Sequence, residues 1–391
     1  MYMEIVDRIY TSAFTLAIDW LDVFCYEERE DPATSILPIP SEEQSSFDYG
    51  DVGLVAQPYG TPFYQVAYQV YVYGEEVATL QCHPRTLGKW KPGAAAIKMH
   101  NHVLYRSDWM DLLTLICHTL KLGINNVTRL DIALDFQTDE DPHLPELLNY
   151  YYKQMPGTLQ LHMKGRATFN ARDMNRETMC FQQFIIGSAS SGKQVSVYNK
   201  TKEIEKSHKG YIAAFWLANG LDPQSRVYRL ELRLKSEGLH CLEGFEFTLL
   251  DDPAYLASII RTSFESFFEF AKANPGDTNT RRWEELQLFN WEAMGASLLP
   301  KTSAPVVNDF YKVRLFLHLA IKQALATNVH ENLMRSNLET AVHQVVHYGV
   351  QEYASKQALK LIKKYRKMCK TPDRISLLCR LFEVNPQSLE D

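Results

Sequence analysis

The sequence predicts an α+β protein whose mostly antiparallel sheet comes first along the chain and whose helices come last. Short segments of alternating apolar and polar residues, joined by turn-forming residues, fill most of residues 1–290. Beyond them, apolar residues recur at helical spacing up to the C-terminus. The stretch 275–310 contains turn-forming segments that indicate a junction. We therefore expect two domains, residues 1–290 and a helical domain of residues 291–391.

Each predicted element follows from its local pattern. Apolar residues that alternate predict strands, and apolar residues at helical spacing predict helices. The expected strands are residues 14–26, 62–83 (a hairpin), 95–105, 127–136, 159–169, 181–188, 193–200 and 226–235. The expected helices are residues 144–155, 201–219, 253–273 and one that Ser107 and Asp108 open and Gly123 closes. Residues 18–24 and 132–136 both place an acid in an apolar strand, which suggests two similar half-units.

The composition is typical of a soluble protein of a reducing cytoplasm. Hydrophobic residues make up 46% and charged residues 23% of the chain, which is usual for globular proteins. The seven cysteines are odd in number and form no CxxC pair, which argues against a disulfide framework or a zinc site. No apolar run reaches the roughly 18–20 residues of a membrane span. The net charge of −6 means that any nucleic acid must bind to local basic patches.

Three of the predicted strands each combine an apolar face with a face of titratable groups. Strand by strand, the polar faces carry Arg129, Asp131 and Asp135; Ser196, Tyr198 and Lys200; and Arg229, Glu231, Arg233 and Lys235. Spacing alone leaves two interpretations open. These faces could form cross-strand ion pairs on the outside of a sheet, or they could line a site for metal-assisted phosphoryl transfer.

The second interpretation gives each residue type a task. Carboxylate oxygens are the hard ligands that Mg²⁺ or Mn²⁺ prefers. A phenol has an ordinary pKa of about 10, so Tyr198 would need the metal ion or the neighbouring Lys200 to become a nucleophile. Arg129 and Arg229 would hold DNA phosphates through bidentate contacts.

The run Val197-Tyr198-Asn199-Lys200-Thr201-Lys202-Glu203, which follows a Gly-Ser hairpin, resembles a motif of the replication initiation factor family (Rep_trans), the trans-acting rolling-circle initiators. Three further segments resemble the family in the same order: residues 18–23, 128–136 and 228–235. The resemblance extends over residues 14–240, and the helical C-terminal part lies beyond it.

The resemblance implies a metal-dependent enzyme that nicks and rejoins one strand of origin DNA. Tyr198 would be the nucleophile, joined to the 5′ phosphate, and a 3′ hydroxyl would be left for a host polymerase. Lys200 would be catalytic beside it, and Glu203 would be a proton acceptor or a further ligand of Mg²⁺ or Mn²⁺. The metal-ligand candidates are Asp131, Asp135 and Glu231. Expected partners are origin DNA, as duplex and as hairpin or single strand, a host helicase and polymerase, and a second copy of the chain.

Other functions are compatible with the same motifs. The chain could be a relaxase of an integrative or conjugative element, a non-catalytic origin-binding regulator, or a metal-dependent nuclease that uses water as the nucleophile. The intact spacing of Tyr198, Lys200 and Glu203 favours a nicking and joining enzyme over a regulator.

The predicted helix over residues 354–372 carries a basic stripe. Its bases include Lys363 and Lys367, and no acid lies between Ala354 and Thr371. Such a stripe is usually a solvated helix face, but seven bases without an acid favour contacts with DNA phosphates. The residues expected to make these contacts are Lys356, Lys360 and Lys364.

Two further groups are interpreted as structural. His100-Asn101-His102 would put two imidazoles on one strand face, and we expect ordinary strand histidines because the middle residue is polar. Tyr150, Tyr151 and Tyr152 are consecutive, so their side chains would point in different directions from a helix, in packing or surface positions.

Overall fold

The chain divides into two compact units, Met1–Lys301 and Thr302–Asp391. The border predicted from the sequence lies between residues 290 and 291. The computed structural model describes residues 11–28, 35–85, 93–138, 159–163, 169–175, 180–265, 267–272, 284–286, 289–300, 317–325, 331–347, 351–366 and 372–389, with residues 279, 282 and 369 between them. The predicted helix 144–155, with Tyr150, Tyr151 and Tyr152, lies outside the described residues.

The first unit combines antiparallel strands with helices, so the predicted α+β class is confirmed. Its strands are β1 (Thr11–Glu27), β2 (Ser46–Asp48), β3 (Val52–Ala56), β4 (Tyr64–Val72), β5 (Glu75–Pro84), β6 (Ala94–Met99), β7 (Leu122–Thr138), β8 (Leu159–Met163), β9 (Phe169–Asn175), β10 (Cys180–Ile186), β11 (Lys193–Asn199), β12 (Tyr228–Lys235), β13 (Phe268–Lys272) and β14 (Glu284–Leu286). Its helices are α1 (Asn101–Leu104), α2 (Trp109–Thr119), α3 (Lys200–Ser207), α4 (Gly210–Ala218), α5 (Ser236–Leu239) and α6 (Pro253–Glu265).

The large sheet consists of two similar half-units, as the repeated acidic strand suggested. Its order is β2-β3-β4-β5-β6-β1-β7-β12-β11-β10-β9, and β8, β13 and β14 form a small second sheet. The long strands β1 and β7 pair at the centre. Outward from β1 the sheet continues through β6, β5, β4 and β3. Outward from β7 it continues through β12, β11, β10 and β9. The two halves are therefore related by an approximate twofold axis between β1 and β7.

One face of the large sheet is apolar and forms the main core. Leu130, Ile132 and Leu134 of β7 are fully buried there, because alternate residues of a strand point to the same side. Helix α2 packs on β7 and helix α6 packs on β1, which covers this face. The opposite face carries the titratable residues. One end of it is covered by a smaller cluster that includes Tyr105, Ile212 and Trp216.

Several predicted elements have different ends. The predicted strand 95–105 was wrong beyond Met99, because residues 101–104 form a helical turn in which the Asn101 side chain bonds the backbone oxygen of Asp19 and the hydroxyl of Tyr211. The predicted helix 201–219 is two helices, since His208 between them adopts a left-handed backbone with φ 54°. Helix α2 ends before Gly123 of β7, and strand β13 lies where the helix 253–273 was expected. The predicted strand 159–169 contains β8 and the first residue of β9, and β2 and β3 were not predicted.

The second unit is helical, as its apolar periodicity predicted. Its described helices are a segment over 317–325, α7 (Glu331–His347), α8 (Gln351–Tyr365) and α9 (Pro372–Leu381). Helix α8 buries Ala354, Ala358 and Ile362 and leaves Lys356, Lys360 and Lys364 exposed. Among the described residues of the whole chain, no helix is long and apolar enough to cross a membrane.

Candidate active site

Tyr198 lies near the end of β11, on the polar face of the large sheet. Antiparallel pairing places it opposite Arg229 of β12 and opposite Gln183 of β10. Its hydroxyl donates a hydrogen bond to Oε2 of Glu231, at 3.1 Å. The predicted nucleophile and one predicted metal ligand are therefore in direct contact.

A polar cleft surrounds Tyr198. Besides Tyr198 and Glu231, its walls carry Asp19 of β1 and the side chains of α3. Those α3 residues include Lys200, Lys202, Glu203 and Lys206. The cleft thus combines a phenol, three carboxylates and several ammonium groups, a set that can bind a phosphodiester and move protons around it.

Arg229 is the centre of a buried ion network beneath the cleft. The residue has no exposed surface, and its Nε and Nη2 donate to Oδ1 and Oδ2 of Asp135, both at 2.6 Å. Its Nη1 donates to Asp19 at 2.6 Å, and Nη2 also meets the Tyr105 hydroxyl at 2.8 Å. Trp216 Nε1 donates to Asp135 at 2.7 Å. Charges buried in this way need such partners, because moving an unpaired charge out of water destabilises the folded protein by roughly several kcal/mol.

This network gives two of the predicted site residues partners within the protein. Asp135 was expected to bind a metal ion, but both of its oxygens accept hydrogen bonds from Arg229 and Trp216. Arg229 was expected to bind DNA phosphates, but its guanidinium is sealed in the protein and engaged with carboxylates. Strand alternation put both residues on the correct face, yet it could not tell that the two are paired across β7 and β12.

Asp131 also departs from its expected role. Its carboxylate is buried between two arginines, with Arg129 Nε at 2.9 Å and Arg233 Nε at 3.2 Å. Within the described part of the chain, no group of three His, Cys, Asp or Glu residues could hold a metal ion. The predicted ligand set of Asp131, Asp135 and Glu231 is thus not assembled, because the arginines of β7 and β12 hold the two aspartates.

Asp19 is the site residue that the sequence reasoning missed. It lies at a bulge of β1, where the register with β7 shifts between Ile18 and Trp20. The Tyr105 hydroxyl and Arg229 both donate to its Oδ1 at 2.6 Å. The apolar run 18–24 carries two acids, Asp19 and Asp22, and its likeness to residues 132–136 does not tell which of them faces the cleft.

Burial controls the protonation of the groups around Tyr198. Burial is the largest effect that raises the pKa of the Tyr198 hydroxyl well above its ordinary value, and the negative charge of Glu231 adds to it. Burial also raises the pKa of Glu231, with Asp19 and Asp131 acting in the same direction. Burial opposes ionisation of Asp19 too, but Arg229 and Lys200 outweigh it and hold the pKa of Asp19 well below its ordinary value.

The motif that follows Tyr198 starts helix α3. The Asn199 side chain caps the helix by accepting from the backbone N–H of Lys202 at 3.1 Å. Lys200 is buried, forms an ion pair with Glu203, and has its Nζ 5.6 Å from the centre of the Tyr198 ring. Burial lowers the pKa of Lys200, and the nearby Arg229 acts in the same direction. A lysine in this environment gives up its proton more readily than one in water.

Within the cleft, the carboxylates that would hold a divalent cation are Glu231 and Asp19; Asp19, like Asp135, also accepts from Arg229, through Oδ1. Magnesium sites commonly use one or two carboxylates and complete the shell with waters and substrate phosphates. Glu231 and Asp19 both line the cleft beside Tyr198, and their mutual repulsion contributes to the raised pKa of Glu231. A cation bound by these two residues would relieve that repulsion. We therefore regard Asp19 and Glu231 as the residues that would hold Mg²⁺ or Mn²⁺.

Most residues of this cleft belong to a segment that resembles a known family. Residues 125–310 match the model of the family described as replication initiation factor. The predicted family resemblance is confirmed over this segment. It contains Tyr198, Lys200, Glu203 and Glu231 and excludes Asp19, so the replication initiation factor segment shares its cleft with strand β1.

The structure entitled "Structure of Rolling Circle Replication Initiator Protein from Geobacillus stearothermophilus" is 16% identical, covers 72% of this chain and 96% of that chain, and superposes with a TM-score of 0.44. No curated protein matches the chain.

Proposed function

We propose that this protein initiates rolling-circle replication by nicking one strand of origin DNA, with Tyr198 as the nucleophile. The observation that carries the proposal is the hydrogen bond from the Tyr198 hydroxyl to a buried carboxylate, Glu231. It lies inside the segment that matches the replication initiation factor family. A phenol with a raised pKa needs a proton acceptor within hydrogen-bond distance, and Glu231 is that acceptor.

The proposed reaction is a transesterification that moves one DNA strand onto Tyr198. The Tyr198 oxygen attacks the phosphorus while its proton passes to Glu231, and the bond from phosphorus to the 3′ oxygen breaks. The leaving 3′ oxygen takes a proton from the Lys200 ammonium, whose pKa is lowered by burial. The products are a 5′-phosphotyrosine and a free 3′ hydroxyl that a polymerase can extend. The same steps in reverse rejoin the strand.

The neighbouring residues support these proton transfers. Glu203 pairs with Lys200 and keeps its ammonium group near the ring of Tyr198. Arg229 holds Asp19 and Asp135 in fixed positions under the cleft. A divalent ion bound by Asp19 and Glu231 would supply positive charge to the phosphate oxygens. Because Glu231 would contact both the phenol and that ion, we expect substitution of Glu231 to impair nicking more than substitution of the other carboxylates of the cleft.

The helical second unit is proposed to hold duplex origin DNA. Lys356, Lys360 and Lys364 recur every four residues on α8 and are exposed on one side of the helix, opposite its buried alanines. Lysines at this spacing can follow a phosphate backbone by charge alone. Since the whole chain is net negative, such local patches have to supply the attraction.

Covalent trapping tests the proposal. The protein is incubated with a single-stranded origin oligonucleotide labelled at its 3′ end, with Mg²⁺ or Mn²⁺, and analysed on a denaturing gel. A labelled band at the mass of the protein, absent in Tyr198→Phe, is expected. Cleavage without an adduct would indicate water as the nucleophile, and binding without cleavage would indicate a regulator; either result overturns the proposal.

A further inference from the structure

The row of residues that contains Tyr198 has a counterpart in the first half-unit. Across β10, β11, β12 and β7, the paired residues are Gln183, Tyr198, Arg229 and Asp135. Across β4, β5, β6 and β1, the paired residues are Gln69, Thr79, Lys98 and Asp22. The strands correspond one to one under the approximate twofold axis. Glutamine, a hydroxyl residue, a base and an aspartate thus occur in the same order in both rows.

The row of the first half-unit, which contains Thr79, differs in two ways from the row that contains Tyr198. Thr79 stands where Tyr198 does, and its hydroxyl bonds Gln69 at 3.1 Å and His100 at 3.2 Å. This row therefore lacks a phenol. Lys98 stands where Arg229 does, but Lys98 is half-exposed whereas Arg229 is completely buried. The row of the first half-unit thus has no phenol, and its base is partly exposed instead of buried.

Trp20 holds this cation in place. The Nζ of Lys98 lies 3.8 Å from the centre of a Trp20 ring, and the guanidinium carbon of Arg129 lies 3.9 Å from it. Lys98 belongs to β6 and Arg129 to β7, the two strands that flank β1. Cation–π contacts and the ion pair of Arg129 with Asp131 restrict both side chains. Two positive charges are therefore held in fixed positions on the face that carries Tyr198.

The positive charge continues towards the cleft. Lys235 of β12 lies opposite Arg129, and Arg233 of β12 lies opposite Asp131 and lines the cleft itself. We call Lys98, Trp20, Arg129, Arg233 and Lys235 the basic strip. It starts one row beyond Glu231 and crosses four strands, which stand about 4.8 Å apart. The strip therefore begins at the wall of the cleft and extends from β12 to β6.

We propose that the first half-unit is a non-cutting copy of the nicking site that binds the single strand flanking the cut, with its phosphates on Lys98 and Arg129. The proposal rests on the proposed nicking function, because it is the strand cut by Tyr198 that continues onto the strip. Four bases of the strip face three nearby acids, Asp22, Asp131 and Glu231, so the strip keeps an excess of positive charge that phosphates complement. The repeated row would account for a DNA-binding surface at a place without a nucleophile. Lys98 and Arg129 would position the strand, and Trp20 would fix both cations.

Binding of oligothymidylate tests the proposal without chemistry. All variants carry Tyr198→Phe, and their affinity for a fluorescent oligothymidylate is measured by anisotropy at several salt concentrations. Lys98→Gln with Arg129→Gln should weaken binding at least several-fold and make the slope of log affinity against log salt shallower by about 1.4, or about 0.7 for each single-strand phosphate contact. Lys98→Arg should keep the parent affinity because it keeps the charge.

Matched controls make the outcome specific. Lys322→Gln with Arg380→Gln removes the same charge from exposed positions of the second unit and should leave binding of oligothymidylate unchanged. Thermal unfolding of each variant identifies any that fails to fold, in which case the single change Lys98→Gln replaces the pair. Parent affinity and slope in the double variant would overturn the proposal, as would a loss confined to a duplex of the same length. Trapping by Tyr198 is scored separately, so failure of the nicking proposal is distinguishable from failure of this one.

Discussion

Arg229 holds both carboxylate oxygens of Asp135 at 2.6 Å, and neither residue has more than a trace of exposed surface. The pair joins β7 to β12 directly beneath the cleft and fixes Asp19 through a third nitrogen. Strand β12, which carries Glu231, is therefore held to β7 and β1 by an ion network as well as by apolar packing.

Loss of that ion pair should destabilise the protein strongly. Asp135→Asn leaves the buried guanidinium of Arg229 without its main counter-charge, and breaking one side of a buried pair costs about 3–5 kcal/mol. Chemical denaturation should show this loss, whereas Asp51→Asn, at an exposed carboxylate, should have little effect. Wild-type stability in Asp135→Asn would mean that the network is not structural.

Tyr198→Phe should abolish the covalent adduct and the nicking of a supercoiled origin plasmid. The change removes only the hydroxyl, so origin affinity should stay within a few-fold of wild type. Tyr211→Phe is the matched control, because Tyr211 bonds Asn101 and lies outside the walls of the cleft. An adduct that persists in Tyr198→Phe would exclude this tyrosine as the nucleophile.

Glu231→Gln should abolish nicking and yet stabilise the fold at neutral pH. Burial raises the pKa of Glu231 above its ordinary value of 4.5, so its charge is less favourable in the folded state than in the unfolded one. Wild-type stability therefore falls as pH rises from 4.5 through the raised pKa. Each kcal/mol gained should raise Tm by about 2–4 °C. The difference should vanish below pH 4.5, where both side chains are neutral.

Two controls accompany that measurement. Glu237→Gln, at an exposed position that follows β12, should leave Tm unchanged at every pH. Nicking by the wild type should decline as pH falls through the raised pKa of Glu231, because the protonated carboxyl cannot accept the phenol proton. A Glu231→Gln protein that nicks at the wild-type rate would contradict the assignment of Glu231 as proton acceptor.

Mg²⁺ or Mn²⁺ should stabilise the wild type against heat, and Asp19→Asn should remove that effect. A ligand at a hundredfold its Kd stabilises by about 2.7 kcal/mol. The shift in Tm on adding metal is compared between variants without DNA, so it does not depend on activity. Asp131→Asn should keep the shift, because its oxygens are held by Arg129 and Arg233. If Asp131→Asn loses the metal-dependent rise in Tm and Asp19→Asn keeps it, Asp131 is a metal ligand, as the sequence predicted, and Asp19 is not.

The sequence predicts the positions of most strands and the faces of their side chains, because both follow from local alternation. Tyr198 and Glu231 were expected on one polar face, and their hydrogen bond agrees with that. Cross-strand ion pairs were one of the two interpretations left open, but the pairing of Asp135 with Arg229 could not be assigned, because it depends on the register between β7 and β12 and no pattern within either strand encodes that register. Asp19 was missed because a bulge turns it into the cleft.

The basic stripe of α8 gives the last prediction, which concerns duplex DNA. Changing Lys356, Lys360 and Lys364 together to Gln keeps helix propensity nearly intact, and all three are exposed, so the second unit should still fold. Each duplex phosphate contact that is lost lowers the slope of log affinity against log salt by about 0.9. The slope for origin duplex should therefore become shallower by about two to three units, with affinity reduced at least several-fold.

Cleavage of a short single-stranded oligonucleotide distinguishes the contribution of this stripe from that of the cleft. That reaction needs only the first unit, so the triple variant should cleave it at nearly the wild-type rate. The exposed bases Lys322 and Arg380 of the same unit provide control substitutions of equal chemistry. Unaltered affinity and slope for origin duplex in the triple variant would mean that the stripe is a solvated face, because a net negative chain cannot lose three phosphate contacts without a change in salt dependence.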